Sequence, residues 1–297
     1  RDLHSFPTRR SSDLCINLSL GKKVTTNRTM IKKTFTQKGL DYVSDLVLQN
    51  VADLERIIDW NEQNGVKFYR MSSDMFPWAT EYEFTQLKDW KAISTILKRC
   101  GDKAKQYGQR LTFHPGPFNV LVSPKESVVE NTIKDLEVHG RIMDAIGLSQ
   151  TPYNKINIHC NGVYGDKISA MDRFTTNFQK LSNSVKNRLT IENDDKASMY
   201  SVKDLMYIHK KIGIPIVFDY HHHKFCTGDL SEQQALELAL STWPKDITPV
   251  VHYSESANGK KPQAHSDYIE SLPTTYDNSM DIMVEAKMKD KSILNFI

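Results

Sequence analysis

Short runs of β-branched and apolar residues recur along the chain, each separated from the next by a longer stretch whose apolar positions repeat every three or four residues. The runs lie at 15–20, 66–71, 110–114, 155–159, 188–192, 215–219, 249–252 and 282–285. Each has the length and β-branched content of a buried strand. The stretches between them read as helices. One opens at Asn50, a residue suited to an N-cap, carries Val51, Leu54, Ile57 and Ile58 on one face, and stops at Gly65. A second covers 83–107 and is expected to break near Gly101. A third begins with Ser123-Pro124-Lys125-Glu126, where serine caps, proline takes the first helical position and glutamate lies three residues on; it runs to Gly147. Further helices are expected near 169–184, 201–212 and 231–243. Eight strands, most followed by a helix, argue for a parallel sheet, and eight is the number that closes a barrel. The expected fold is therefore α/β, a (β/α)8 TIM barrel. An open doubly wound sheet would carry a glycine-rich turn after its first strand, and Leu20-Gly21-Lys22 is not one.

Residues 1–14 (RDLHSFPTRRSSDL) show no such periodicity and lack the apolar core of a signal peptide. They resemble a translated adaptor, so they are expected to be a non-native or disordered segment ahead of a single barrel domain at 15–297. The composition is globular, 39% hydrophobic and 25% charged over 297 residues. No run approaches the roughly 18 apolar residues of a membrane span. The four cysteines (Cys15, Cys100, Cys160, Cys226) are isolated, without a CxxC pair, which suits reduced thiols in a cytoplasmic protein. A net charge of +3 neither requires nor excludes a nucleic-acid partner, because a basic groove can hide in a near-neutral total.

The unusual feature is ten histidines, most of them near strand ends. A barrel of this kind places its chemistry at the C-terminal ends of its strands. Those ends read His114, His159, Glu192, Asp219 with His221, His222 and His223, then His252 and Glu285; His265 and Asp267 follow in the loop after His252. One ionisable residue at a strand end is usually a structural group. Six consecutive strands ending in such groups would be costly to bury without compensating charge. Divalent cations supply that charge, and imidazole plus carboxylate suits zinc, manganese or iron rather than calcium. The donors exceed one coordination sphere, so two or three ions are implied.

The ordered series HPG, IHCNG, IEND, FDYHHH, VHYSES, AHSDYI and VEAK, with CINLSL near the start and FYRMSSDMFP after it, resembles the UV damage endonucleases, metal-dependent DNA-repair barrels related to endonuclease IV. The likeness runs from Cys15 to about Lys289. It implies hydrolysis of the phosphodiester on the 5′ side of UV photoproducts, and of abasic sites as a further substrate, without ATP. By the same resemblance His114, His159 and Glu192 hold one metal. Glu192, Asp219, His252 and Glu285 hold a second, with Glu192 bridging, and these four carry catalysis. His222 and His265, with Asp267, hold a third. The implied ion is Mn2+, with Zn2+, Mg2+ and Co2+ as alternatives. Asn17 and Phe118 are the implied DNA contacts, the partner is damaged double-stranded DNA, and no obligate protein partner is evident. Cys160 and Cys226 are read as bystanders.

Three positions depart from the family pattern. Asp13-Leu14 stands where a Gly-Tyr pair is usual. Pro117-Phe118 follows HPG in place of Gln-Tyr. Val250 occupies the place, two residues before His252, where a lysine is frequent. Lys22, Lys23, Arg28, Lys32, Lys33, Lys260 and Lys261 are candidate phosphate contacts, and Tyr69, Phe76 and Trp78 candidate aromatic supports for an opened duplex. In His221-His222-His223 only His222 is expected to be a ligand, its neighbours pointing to loops or solvent. The competing reading is a xylose-isomerase-like sugar isomerase or epimerase, which also uses a metal-bearing barrel but with fewer histidines.

Overall fold

A computed structural model describes residues 11–13, 16–257, 259 and 261–297, with side chains described from Ile16. Eight parallel strands form a closed barrel in chain order. They are β1 (Ser11–Asp13), β2 (Phe68–Met71), β3 (Arg110–Phe113), β4 (Ile156–His159), β5 (Leu189–Glu192), β6 (Ile216–Asp219), β7 (Val250–Tyr253) and β8 (Asp281–Val284). Seven fall where the apolar runs predict them, because a strand covered on both faces must be apolar along its length.

The first strand is a correction. Ser12 and Asp13 align with Phe68 and Tyr69 of β2, and Ser11 and Ser12 with Ile282 and Met283 of β8. Residues 11–13 therefore close the barrel rather than lying outside it; residues 1–10 and Cys15 lie outside the described residues. Backbone pairing carries no side-chain requirement, so a polar segment can complete the ladder. The stretch expected as strand one turns instead. Its backbone donors go to side chains: Leu18 N–H and Ser19 N–H to Asp290 at 2.6 and 3.0 Å, and Leu20 N–H to Asn17 Oδ1 at 2.9 Å.

The helices are α1 (Lys32–Gln63), α2 (Trp90–Gln106), α3 (Glu126–Ile146), α4 (Lys167–Phe178), α5 (Asn183–Lys186), α6 (Val202–Ile212), α7 (Tyr220–His223), α8 (Glu232–Leu240) and α9 (Asp290–Ile293). The helix expected to open at Asn50 starts at Lys32 and kinks at Gly39. Val43, Val47, Val51, Leu54 and Ile58 make one continuous buried stripe, and Asn50 lies within it. Its side chain bridges loops instead of capping, donating to Arg28 O and Met75 O at 3.0 and 3.1 Å. Ser123 does not cap α3; Lys125 precedes the helix, and Gly147 ends it at φ 83° as expected. The helix expected at 169–184 divides into α4 and α5. The helices expected from 201 and 231 are α6 and α8, capped by Ser201 and Ser231.

At the N-terminal end of the barrel, Arg110 opens β3 fully buried and pairs with Asp281, which opens β8, at 3.0 Å. Its remaining donors reach the carbonyls of Pro152, Tyr153 and Thr248 at 2.5–2.9 Å. The same strand delivers His114 at its other end. One end is thus closed by a buried charge pair in which the arginine's donors are met by Asp281 and backbone carbonyls, and the other carries the ionisable strand ends.

Helix α2 does not break at Gly101. The glycine is there because α3 passes so close that an added Cβ would overlap the Ile146 carbonyl oxygen. Gly101→Ala is therefore expected to destabilise the protein by about 1–3 kcal/mol in urea denaturation, although alanine is intrinsically the better helix former by about 1 kcal/mol. Unchanged or increased stability would show that α2 and α3 can separate freely.

Candidate functional site

The strand ends bring their ionisable residues together around Glu192, the last residue of β5 and almost wholly buried. Glu192 Oε2 lies 3.1 Å from His114 Nε2 and 3.0 Å from His252 Nδ1. Oε1 lies 3.4 Å from His222 Nδ1 and 3.9 Å from His159 Nε2. Asn157 also donates to Glu192. Three overlapping groups have donor atoms within 4.8 Å of one another: His114, His159 and Glu192; His114, His252 and Glu285; Glu192, Asp219 and His222.

The imidazoles are oriented from outside this cluster. His114 Nδ1 faces Pro115 O at 3.3 Å, His222 Nδ1 faces Asn193 O at 2.9 Å, and His265 Nδ1 faces Glu285 O at 2.9 Å. A carbonyl only accepts, so Nδ1 carries a proton in each, which leaves Nε2 as the nitrogen able to ligate once a cation displaces any proton it holds. His159 Nδ1 lies 3.1 Å from Asp194 Oδ1, giving the same polarity through a carboxylate. Histidines that bind metals are held in this way. His252 is turned round, with Nδ1 inward and Nε2 3.1 Å from Lys155 Nζ. Asn193 fixes Asp219 by bonds of 2.8 and 3.0 Å between side chain and backbone. Asp219 Oδ1 caps α7 through His222 N–H at 2.8 Å, while Oδ2, fully buried, has no hydrogen-bond partner among the described residues. A buried carboxylate oxygen without a donor is costly, and a cation among these nitrogen and oxygen donors would satisfy it.

The electrostatics agree. Burial pushes Asp219 up to about 7, against the pull of His222. Burial opposes charge on His222 too, but Asp219 and Glu192 raise it to about 9. Burial lowers His252 to about 4 and Lys155 to about 7. Glu192 is driven well below the usual carboxylate range; burial works against this, and His252 and His159 overcome it. Glu285 is also lowered despite burial, with Arg70 Nη1 2.5 Å from its Oε1. Without a cation, the site has to retain protons on His222 and, in part, on Asp219.

The donor groups differ from the expected sets in two places. Asp219 shares a group with Glu192 and His222, whereas His252 and Glu285 share one with His114. His265 and Asp267 belong to none of the three groups; Asp267 is largely exposed and faces Lys287 at 3.5 Å. His221 and His223 belong to none of the three groups either; both are buried, His221 with Nε2 3.2 Å from Gln263 O in the loop after β7, and His223 against Phe218. Phe118 is 89% exposed, but Asn17 is buried. Tyr69 and Phe76 belong to the core, and Trp78 stacks on Phe35 at 5.5 Å. Arg28 pairs with Asp53 at 2.6 Å, which occupies it structurally. Lys22, Lys23, Lys32, Lys33 and Lys261 are exposed; Lys260 lies outside the described residues. Cys160 and Cys226 are buried free thiols.

Sequence reasoning misses Arg70, Lys155, Asn157, Asn193 and Asp194. Asn193 and Asp194 carry the clearest signal, standing directly after Glu192. Lys155 and Asn157 share the strand that ends in His159, and strand alternation puts all three on one face.

A family model described as UV-endonuclease UvdE matches residues 14–297. The chain belongs to the UvdE family. It is 38% identical over 94% of its length to a UV-damage endonuclease of Schizosaccharomyces pombe, although it spans only about half (48%) of that relative. Superposition on the crystal structure of SacUVDE gives a TM-score of 0.85 at 32% identity, covering 97% of this chain and 96% of the other. A D-psicose 3-epimerase from Clostridium cellulolyticum aligns with a TM-score of 0.53 at 11% identity over 78% of this chain and 79% of its own. That likeness is one of barrel fold alone. Among the described residues of this UvdE chain, no helix is long and apolar enough to cross a membrane.

Two outcomes follow for cation binding. His222 is protonated below about 9 and Asp219 below about 7. A cation must displace those protons, so affinity rises with pH up to about 9 and binding near neutrality releases protons. Calorimetry in buffers of different ionisation enthalpy reads this directly; pH-independent affinity with no proton release would contradict it. Asp194→Ala frees His159 Nδ1 and is expected to weaken cation binding about 10- to 100-fold by competition with a chelator.

Proposed function

We propose that the protein is a metal-dependent endonuclease that hydrolyses the DNA backbone on the 5′ side of UV photoproducts, with abasic sites as a further substrate, independently of ATP. The observation that carries this reading is the coincidence of a UvdE-family match over residues 14–297 with three overlapping nitrogen and oxygen donor groups at the barrel mouth.

His114, His159, Glu192, Asp219, His222, His252 and Glu285 would hold two or three divalent ions, Mn2+ foremost and Zn2+, Mg2+ or Co2+ as alternatives. His265 is a further ligand candidate, since its Nδ1 is already committed to Glu285 O. Divalent ions bound there offset the charge that develops on a phosphodiester under attack and acidify water. The protein's own residues do the rest. Glu192, Asp219 and Glu285 supply negative charge that the fold keeps ionisable in a nearly dry mouth. Backbone carbonyls hold the rings of His114 and His222, and Asp194 stands against that of His159, so the imidazoles are fixed beside Glu192. Arg70 holds Glu285, and Asn157 holds Glu192, in fixed rotamers. No side-chain nucleophile is needed, and the buried thiols of Cys160 and Cys226 are unsuited to act as one, since burial raises both. Among the expected DNA contacts, Phe118 is free to meet a base. Asn17 is buried, with Oδ1 accepting from Leu20 N–H, so its side chain supports the turn at 17–20.

Incubation of UV-irradiated and undamaged duplex with the protein, with and without Mn2+, tests the proposal. Incision of irradiated DNA only, abolished by a chelator and restored by Mn2+, is expected. Cleavage that ignores irradiation would remove lesion specificity, and turnover of a ketose instead would establish the epimerase reading. Elemental analysis of metal-replete protein should find two or three ions per chain; one or none would overturn the multi-metal assignment.

A further inference from the structure

The loop that follows His159 has an uncommon backbone. Asn161, Gly162, Tyr164 and Gly165 all sit at positive φ, at 54°, 46°, 51° and 86°. A tyrosine there crowds its own Cβ against the backbone, and such a conformation persists only where its surroundings hold it. Those surroundings are present. Tyr200 Oη donates to Gly162 O at 3.0 Å. Asn161 Nδ2 donates to His159 O at 3.3 Å and to Asn119 O at 3.4 Å. Asp166 closes the loop by accepting from Ile168 N–H at 3.0 Å as α4 begins.

The side chain so presented is not buried. The Tyr164 ring lies against Gly162, where an added Cβ would meet Cε2 at 2.5 Å, and the Arg173 guanidinium is 5.7 Å from its centroid. Half of the residue (50%) remains exposed. Phe118, the most exposed large apolar residue among those described, stands on the neighbouring loop after β3. The Asn161–Asn119 bond joins the two loops, and α4, which follows the second, is tied to the first: Arg173 Nε donates to Val122 O at 2.7 Å and Asn177 Nδ2 to Leu121 O at 2.9 Å. Two water-facing aromatics are therefore carried by one braced unit, on the loops that follow the His114 and His159 strands.

Core packing does not require either ring. Strain retained to display an aromatic beside a reactive mouth points to a partner with an apolar, planar face. On a DNA-cleaving protein that partner is a nucleobase taken out of the duplex stack. We propose that Tyr164 is a base-stacking residue that, together with Phe118, forms an aromatic platform for a displaced base next to the donor cluster. This rests on the DNA-cleaving reading above. Tyrosine suits the role because its ring has few rotamers to lose, and Gly162 and Arg173 have already restricted them.

The test is single-turnover incision of a duplex carrying one thymine dimer, with Mn2+, across protein concentration, together with fluorescence anisotropy on the undamaged duplex and on a single strand. Tyr164→Ala is expected to raise the half-saturating concentration for the dimer duplex about tenfold, while Tyr164→Phe stays within about twofold of the parent. Ile168→Ala, which removes a neighbouring exposed apolar side chain, serves as the surface control and is expected to match the parent. If the parent incises the dimer duplex and Tyr164→Ala saturates as the parent does, or Ile168→Ala loses as much, the platform is wrong and the function stands. If the parent fails to incise but Tyr164→Ala still loses single-strand affinity, the function reading is wrong and the platform stands. A parent that neither incises nor binds DNA overturns both.

Discussion

A carboxylate buried at the mouth of a barrel, with four imidazoles directed at it, is the constraint on which the rest of this molecule depends. Glu192 is almost inaccessible to solvent, and its two oxygens face His114, His252, His222 and His159 within 3.0–3.9 Å. Such a cluster is unstable to its own charges. Unless protons or cations balance it, desolvation penalises each ionised group more than any single pair repays. The raised pKa values of Asp219 and His222 are the protein's answer when only protons are at hand. A cation is the better answer, because it serves several donors at once and leaves the imidazoles neutral.

That constraint explains the shell around the donors. Asn193, Asp194, Asn157, Lys155 and Arg70 each make a contact whose effect is to fix the orientation or charge of a donor. A ring free to rotate would lose entropy on binding and would offer the wrong nitrogen part of the time. The far end of the barrel solves the opposite problem. Arg110 and Asp281 close it with a buried charge pair in which backbone carbonyls accept from the rest of the guanidinium. Strand β3 begins in one regime and ends in the other within five residues, which rigid strand geometry makes possible.

The shared barrel of UvdE proteins and sugar epimerases shows how little the fold decides about chemistry. What this chain adds to the barrel is the set of imidazoles at its strand ends and the loops beyond them. Its loops expose aromatic rings on a strained, hydrogen-bonded frame. A pocket that encloses a small polar ligand would have no use for rings displayed to solvent.

The spacing of apolar runs along the chain specifies the alternation of strands and helices, and hence the barrel. The residue types at the strand ends specify a set of possible metal donors, because imidazole and carboxylate groups gathered at one place can share a cation. Tertiary structure decides what local pattern cannot hold. Asn50 has the chemistry of a cap but is a buried bridge, since a cap and a loop tie use the same amide. Gly101 has the chemistry of a helix break but is a contact point between helices. Strand β1 leaves no apolar signature because its pairing with β2 and β8 is made by backbone atoms that any sequence carries. The partition of donors, with Asp219 beside His222 and His252 beside His114, depends on rotamers and on which way each strand end faces the axis. Composition and spacing select the set of donors; only the closed barrel, by fixing the distances between strands far apart in sequence, selects who stands next to whom.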